Sequence, residues 1–196
     1  MGLRAHSGWA VLVSLGGTVT APGVIQRRRI ELADRAISGS SQPYHAAQPM
    51  KLEEAEAFIE RCAGTSRAMA RTAVQAAVGD LAEQGYKVAG SCILLSSGRT
   101  TTELASILAS HPAIHTAEGE FFREALRSAC EACGLAVSGV KERELFNRGA
   151  AALRIAPDEI ERQLSAMGKI IGPPWRQDEK FCALASWLVL GGFVTA

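Results

Sequence analysis

The order of strand-like and helix-like segments is the feature that most limits how this chain can fold. The β-rich stretch GWAVLVSL at residues 8–15 begins a hairpin, and a third strand follows around residues 27–32. Later strand-like segments at 86–95 and 135–140 are separated by helix-like segments. Neighbouring β-rich segments favour antiparallel hairpins, whereas strands separated by helices favour parallel crossovers. The order predicts an α/β protein with a mixed sheet: three N-terminal antiparallel strands, then βα units, with helices on both faces.

Turn and capping residues set the expected ends of the helices. Residues 51–85 have the pattern of two helices divided at Gly64, because glycine commonly follows a helix end. Pro112 should break the chain before another helix, for which Thr116 is the expected N-cap. A final helix is expected at 178–190, with one apolar side.

Composition and charge place the chain among ordinary globular proteins. It has 196 residues, of which 47% are hydrophobic and 21% are charged, with a formal net charge of +1. This composition excludes a disordered chain and a strongly basic nucleic-acid binder. No linker is long enough to divide the sequence, so residues 1–196 are expected to form one domain.

The cysteines and the apolar runs indicate a compartment. The chain has five cysteines, an odd number in mostly apolar or helical surroundings, which favours reduced thiols and a cytoplasmic location. No uninterrupted apolar run reaches 18 residues, so no membrane span is expected, and the N-terminus lacks a signal-peptide pattern. The early apolar strands and the Ala-rich segment 67–78 offer surfaces for self-association as a homo-oligomer.

The two ends of the chain resemble the ribonuclease H-like superfamily, and within it the RuvC-type Holliday-junction resolvases. GLRAHSGWAV at residues 2–11 is similar to that family's first strand and glycine-containing turn, which leads through an aromatic residue into a second strand. DEKFCALA at residues 178–185 is similar to its last helix. The resemblance implies cleavage of nucleic acid by two divalent metal ions held by carboxylates from separate strands and from the last helix.

The acids that this chemistry needs are mostly replaced. Arg4 stands where the resemblance places an acid on the first strand, and the position of the acid on the later strand falls near Leu94 or Leu95. Asp178 is retained at the start of the last helix. Since a cation at Arg4 would repel a metal ion, the expected function is a binding or structural module without two-metal nuclease activity. Nucleic acid is its implied partner, and no cofactor is expected unless a divergent nuclease uses Mg²⁺ or Mn²⁺.

The alternative is a divergent metal-dependent nuclease or phosphodiesterase, or another enzyme with a rebuilt cleft. Arg4, His6, His115, Glu118 and Asp178 would line this cleft, with His6 or His115 as the acid–base group and Arg4 holding a substrate anion. His115 and Glu118 are three residues apart and so share a helix face, where they could also hold a metal with the nearby Glu120. A simpler interpretation of that segment is a helix capped by Thr116 with acids in its first turn.

A polar loop provides a third candidate site. The sequence SSGRTTT at residues 96–102 follows a strand-like run, and Ser96, Ser97, Arg99 and Thr100 could hold a phosphate or another anion. An ordinary strand-to-helix connection is the other interpretation of this loop. Two further patterns have structural interpretations: the Arg27–Arg29 run as a solvated strand edge, and the Cys130/Cys133 pair as buried thiols.

Overall fold

The structure is a computed structural model, and it describes residues 1–97 and 103–194. The strands of this part of the chain are β1 (Gly2–His6), β2 (Trp9–Thr18), β3 (Ala21–Glu31), β4 (Ser91–Leu95) and β5 (Val137–Lys141). The α-helices are α1 (Pro43–Ala47), α2 (Leu52–Glu83), α3 (Leu104–Leu108), α4 (His111–Ala132), α5 (Leu145–Leu153), α6 (Pro157–Ile171) and α7 (Gln177–Leu190), and a short 3₁₀ turn (Glu142–Glu144) follows β5.

The strands form one mixed sheet in the order β3-β2-β1-β4-β5. β1 pairs antiparallel with β2, and β2 pairs antiparallel with β3, so the first three strands form a meander. β1 pairs in parallel with β4, with Leu3 opposite Ile93, and β4 pairs in parallel with β5. The predicted α/β fold, with three antiparallel strands followed by βα units, is confirmed.

Helices cover both faces of the sheet because side chains alternate along each strand. Leu3, Leu12 and Ile93 point to one face and join a core with α2 and α4. Val11, Cys92 and Leu94 point to the other face and join a core with α5, α6 and α7. The edge of the sheet where β1 and β5 end therefore lies between two packed layers.

The segment 51–85 differs from the prediction because α2 runs through Gly64 without a break. Its buried residues recur every three or four positions along the whole helix: Ala55, Phe58, Cys62, Ser66, Ala70, Val74, Ala77 and Leu81. Gly64 is exposed, and Thr65 bonds its hydroxyl back to the carbonyl of Arg61 at 3.1 Å. Continuous burial of this stripe outweighs the local cost of an exposed glycine.

The predicted cap at Thr116 is also wrong. α4 begins at His111, with Pro112 in its first turn, where proline loses no helical hydrogen bond. Thr116 lies inside the helix and donates its hydroxyl to the carbonyl of Pro112 at 3.0 Å. His115 and Glu118 consequently lie further into the helix than predicted.

Two strand boundaries and the hairpin also shift. β4 begins at Ser91 rather than at residue 86, and β5 spans Val137–Lys141 rather than 135–140. The second strand of the predicted hairpin and the strand predicted at 27–32 form one continuous strand, β3.

Within the described ranges, the structure contains no helix with the length and apolar character needed to cross a membrane.

Candidate functional site

Arg4 forms the centre of a charged cluster at the ends of β1, β5 and the start of α7. Its Nε and Nη2 donate to the two carboxylate oxygens of Glu142 at 3.0 and 2.6 Å, and its Nη1 donates to Asp178. Its guanidinium carbon lies 5.1 Å from the centre of the Phe181 ring. The Arg4 side chain is only 16% exposed, so this cation is held by two carboxylates and an aromatic face.

The register of the sheet explains how Arg4 reaches this position. Arg4 lies opposite Val11 of β2, and Val11 belongs to the core beside α7. Directly opposed residues share a face of the sheet, so the Arg4 side chain points towards the first turn of α7. Asp178 is in that turn, and Glu142 follows β5, which ends on the same side.

The carboxylates decide the electrostatics of this cluster. Burial alone would lower the pKa of the Arg4 guanidinium, but the hydrogen bonds and charges of Glu142 and Asp178 raise it above its usual value. Arg4 therefore stays charged, and its donors are directed at groups of this chain. Burial, followed by the Asp178 charge, also raises the pKa of the neighbouring Cys182 thiol. The cluster is an ion-pair network in which one guanidinium pairs with two carboxylates.

His6 extends the cluster towards solvent. Its Nε2 lies 3.2 Å from an Asp178 oxygen, although the two groups are not aligned as a hydrogen bond. The His6 ring stacks on Trp9, with ring centres 4.2 Å apart and an angle of 13° between planes. The Arg29 guanidinium carbon lies 3.8 Å from the Trp9 ring centre. Trp9 thus contacts an imidazole and a guanidinium beside the Arg4 centre.

An open groove lies next to this stack, and we call it the β1–β2 groove. Its volume is about 350 Å³, and it is lined by Ser7, Gly8, Trp9, Arg29, Glu31, Ala33, Arg35 and residues 37–41. Four serines and two arginines give it many hydrogen-bond donors. Arg29 pairs with Glu31 at 2.9 Å, while Arg35 is exposed. The groove is therefore polar and carries positive charge at its rim.

His115 and Glu118 belong to a second cluster, which we call the three-histidine cluster. His45, His111 and His115 each offer a ring nitrogen within 4.8 Å of the others. Glu118 contacts His45 through an Nδ1–Oε2 distance of 2.9 Å. In the described part of the chain, no hydrogen bond or ion pair joins this cluster to Arg4, His6 or Asp178. The five residues of the rebuilt cleft proposed from the sequence therefore fall into two separate clusters, one with Arg4, His6 and Asp178 and the other with His115 and Glu118.

Two solved structures match nearly the whole chain. One is RuvC of Thermus thermophilus in complex with a Holliday junction substrate, with a TM-score of 0.50 and 8% identity over 99% of this chain and 96% of that chain. Another structure of Thermus thermophilus RuvC matches with a TM-score of 0.50 and 9% identity, over the same shares of both chains. This chain has a ribonuclease H-like fold. No protein-family model and no curated protein sequence matches it.

In the ribonuclease H-like sheet, β4 ends without an acid. Leu95 is followed by Ser96, whose hydroxyl accepts a hydrogen bond from Nη2 of Arg123 at 3.0 Å, and by the exposed Ser97. Arg123 is 6% exposed and also pairs with Glu120 at 3.0 Å. Glu120 therefore forms an ion pair with Arg123 and does not belong to the three-histidine cluster. Arg99 and Thr100 of the proposed anion loop lie outside the described residues.

The other two sequence patterns have local roles in this fold. Arg27 donates to the carbonyls of Gly172 and Pro173 at 2.8 and 3.2 Å, and Arg28 pairs with Asp80. All five cysteines are free, and burial raises the pKa of both the Cys130 and the Cys133 thiol.

Sequence reasoning identified Arg4, His6 and Asp178 but missed Glu142, Trp9 and Arg29. Glu142 is 138 positions from Arg4, and no local pattern connects them. The contact between Trp9 and His6 could have been predicted, because the tight turn after His6 places the two rings opposite each other on paired strands. The spacing of His111 and His115, four residues apart, was a visible signal for the three-histidine cluster.

Proposed function

We propose that this chain is a ribonuclease H-like module that binds nucleic acid and does not cleave it with two metal ions. The observation that carries this proposal is the ion-pair cluster at Arg4. A guanidinium, held by Glu142 and Asp178, lies where the resemblance places a metal-binding acid.

The residues of this cluster do not fit two divalent cations. Two-metal cleavage needs several carboxylate oxygens that are free to bridge the ions and the scissile phosphate. Here the Glu142 oxygens are both bonded to Arg4, and an Asp178 oxygen is shared between Arg4 and His6. A metal would have to displace a cation from two of its partners, at a large electrostatic cost.

Binding of nucleic acid is supported by the fold and by the groove. The matching RuvC structure contains a Holliday junction. In this chain the β1–β2 groove presents Arg29 and Arg35 for phosphates, the interaction that holds nucleic acid backbones, and Trp9 contacts the Arg29 guanidinium and holds it at the groove. Few positive charges line the groove, so we expect moderate affinity and a shallow salt dependence.

A binding assay with a four-way DNA junction tests this proposal. We expect a fluorescein-labelled junction to bind in EDTA, with a slope of log Kd against log salt of about 2, since two arginines meet phosphates. Arg35→Glu should weaken binding about tenfold or more, the loss expected when a charged hydrogen bond is replaced by repulsion.

Arg71→Glu is the matched control, because Arg71 is exposed on α2 near Cys133 and does not line the groove. It makes the same change in net charge. Equal losses in the two variants would show that only net charge matters and would contradict a binding site in the groove. Lack of binding to both the junction and a linear duplex would contradict the binding function itself.

The contact between His6 and Asp178 favours one alternative function. An imidazole beside a carboxylate can transfer protons without a metal, as in a metal-independent hydrolase. In this alternative Arg4 orients Asp178 and does not bind the substrate anion, because its donors face Glu142 and Asp178. Cleavage that continues in EDTA and is lost in His6→Asn would support it.

A further inference from the structure

We propose that the three-histidine cluster of His45, His111 and His115 binds a divalent transition-metal ion of the zinc type. One ring nitrogen from each residue lies within 4.8 Å of the other two. The proposal is independent of the nucleic-acid function, because none of the three residues lines the β1–β2 groove or contacts Arg4.

The fold brings the three imidazoles together from two helices. His111 and His115 are one turn apart in the first half of α4, so they share a face. His45 comes from α1, and its ring centre lies 5.3 Å from that of His111 and 4.8 Å from that of His115. The three rings stand edge to face, with angles of 66–82° between planes. Such rings can all direct an edge nitrogen to one point.

Glu118 is a second observation that points to a metal. Its carboxylate is buried, with 3% exposure, and it accepts the backbone N–H of His45 at 3.1 Å. Its other oxygen is 2.9 Å from Nδ1 of His45, which is buried and makes no aligned hydrogen bond. A small ring rotation would let Nδ1–H donate to Glu118 and leave Nε2 for the ion. A carboxylate behind a ligating histidine is the usual support of a zinc site.

The ligand chemistry selects the type of ion. Imidazole nitrogens favour zinc, cobalt, nickel and copper over magnesium and calcium, which prefer oxygen. At Zn–N distances of about 2.0–2.1 Å, tetrahedral ligand nitrogens lie about 3.4 Å apart. His111 and His115 are exposed and can rotate to close the remaining gap. The N-terminal end of α4 carries partial positive charge, which disfavours a bound cation. The buried Glu118 carboxylate offsets this effect.

Three protein ligands leave a fourth tetrahedral position for water or a small anion. This is the pattern of an open zinc site, whereas purely structural sites usually have four protein ligands. The ion would also join α1 to α4, two helices that contact each other through Glu118 and the backbone of His45.

Isothermal titration with Zn²⁺ on the untagged protein, with Co²⁺ absorption as a second readout, tests the proposal. We expect one ion per chain and a visible Co²⁺ spectrum of tetrahedral type without thiolate charge-transfer bands. Zinc at a hundred times its Kd should raise the melting midpoint by about 5–10 °C. His111→Ala and His115→Ala remove exposed side chains, so both variants should fold and lose one-to-one binding.

Two further variants separate a built site from incidental histidine contacts. Glu118→Gln keeps an acceptor for the His45 backbone but removes the charge, and it should weaken zinc binding about 10–100-fold. His6→Asn changes the one histidine outside the cluster and should leave zinc affinity unchanged. Zinc binding that survives His115→Ala, that shows cysteine-type cobalt bands, or that is absent at millimolar zinc would overturn the proposal.

Discussion

Arg4→Asp should make the stability of this protein depend on divalent cations. The substitution places a third carboxylate beside Glu142 and Asp178, in a position where the wild-type guanidinium pairs with both. Removing one partner of a buried ion pair costs about 3–5 kcal/mol, but these carboxylates are 25–33% exposed, so we expect a loss of about 2–3 kcal/mol in EDTA. Millimolar Mn²⁺ or Mg²⁺ should restore much of this loss, because three carboxylates now bind the ion.

Urea unfolding of the wild-type and variant proteins, with and without Mn²⁺, measures this effect. Arg4→Gln is the matched control, since it removes the charge without adding an acid and should gain less from the cation than Arg4→Asp. If the cation stabilised the wild-type protein as much as Arg4→Asp, the ion would already bind with Arg4 in place. That result would contradict the conclusion that Arg4 occupies the carboxylates.

Gly2→Ala should destabilise the protein by about 3 kcal/mol or more, or prevent folding. A Cβ atom at residue 2 would collide with the backbone carbonyl of Cys182 and lie 2.8 Å from the amide nitrogen of Ser186. Both atoms belong to the backbone of α7, so no side-chain rotation can relieve the contact, and overpacking of this kind has a large cost. Only glycine fits at position 2, because β1 packs directly against the backbone of α7.

Thermal and urea unfolding of Gly2→Ala and Gly64→Ala provide a matched comparison. A Cβ at Gly64 would meet no atom within 4 Å, and Gly64 lies inside the continuous helix α2. Gly64→Ala should therefore raise stability by about 0.5–1 kcal/mol. A neutral Gly2→Ala would contradict the close packing of β1 on α7, and a destabilising Gly64→Ala would contradict an unbroken α2.

The fold could be predicted because the sequence patterns that indicate it are short and occur several times along the chain. Adjacent β-rich segments and later strand–helix alternation are visible in short windows, and they are enough to indicate a mixed sheet covered on both faces. The helix ends could not be placed equally well. Gly64 and Thr116 have the composition of a break and a cap, but burial of the long α2 stripe and proline in the first turn of α4 outweigh those local preferences.

The candidate site could be predicted only in part, for a physical reason. Arg4 and Asp178 were found through the resemblance at the two ends of the chain, which the sheet brings together. Glu142 and His45 were missed because their contacts depend on where β5 and α1 pack, and no spacing in the sequence encodes that packing. The RuvC match at 8–9% identity supports the fold without assigning residues.

The most direct test of the central claim is a cleavage assay on a labelled four-way DNA junction with purified wild-type protein in EDTA, Mg²⁺ and Mn²⁺. Because Arg4 holds the acids that two metals would need, we expect the junction to be bound and to stay intact in all three conditions. Asp178→Ala is the control for any cleavage that is seen. Cleavage that requires Mg²⁺ or Mn²⁺ and disappears in Asp178→Ala would contradict the account and establish a metal-dependent nuclease.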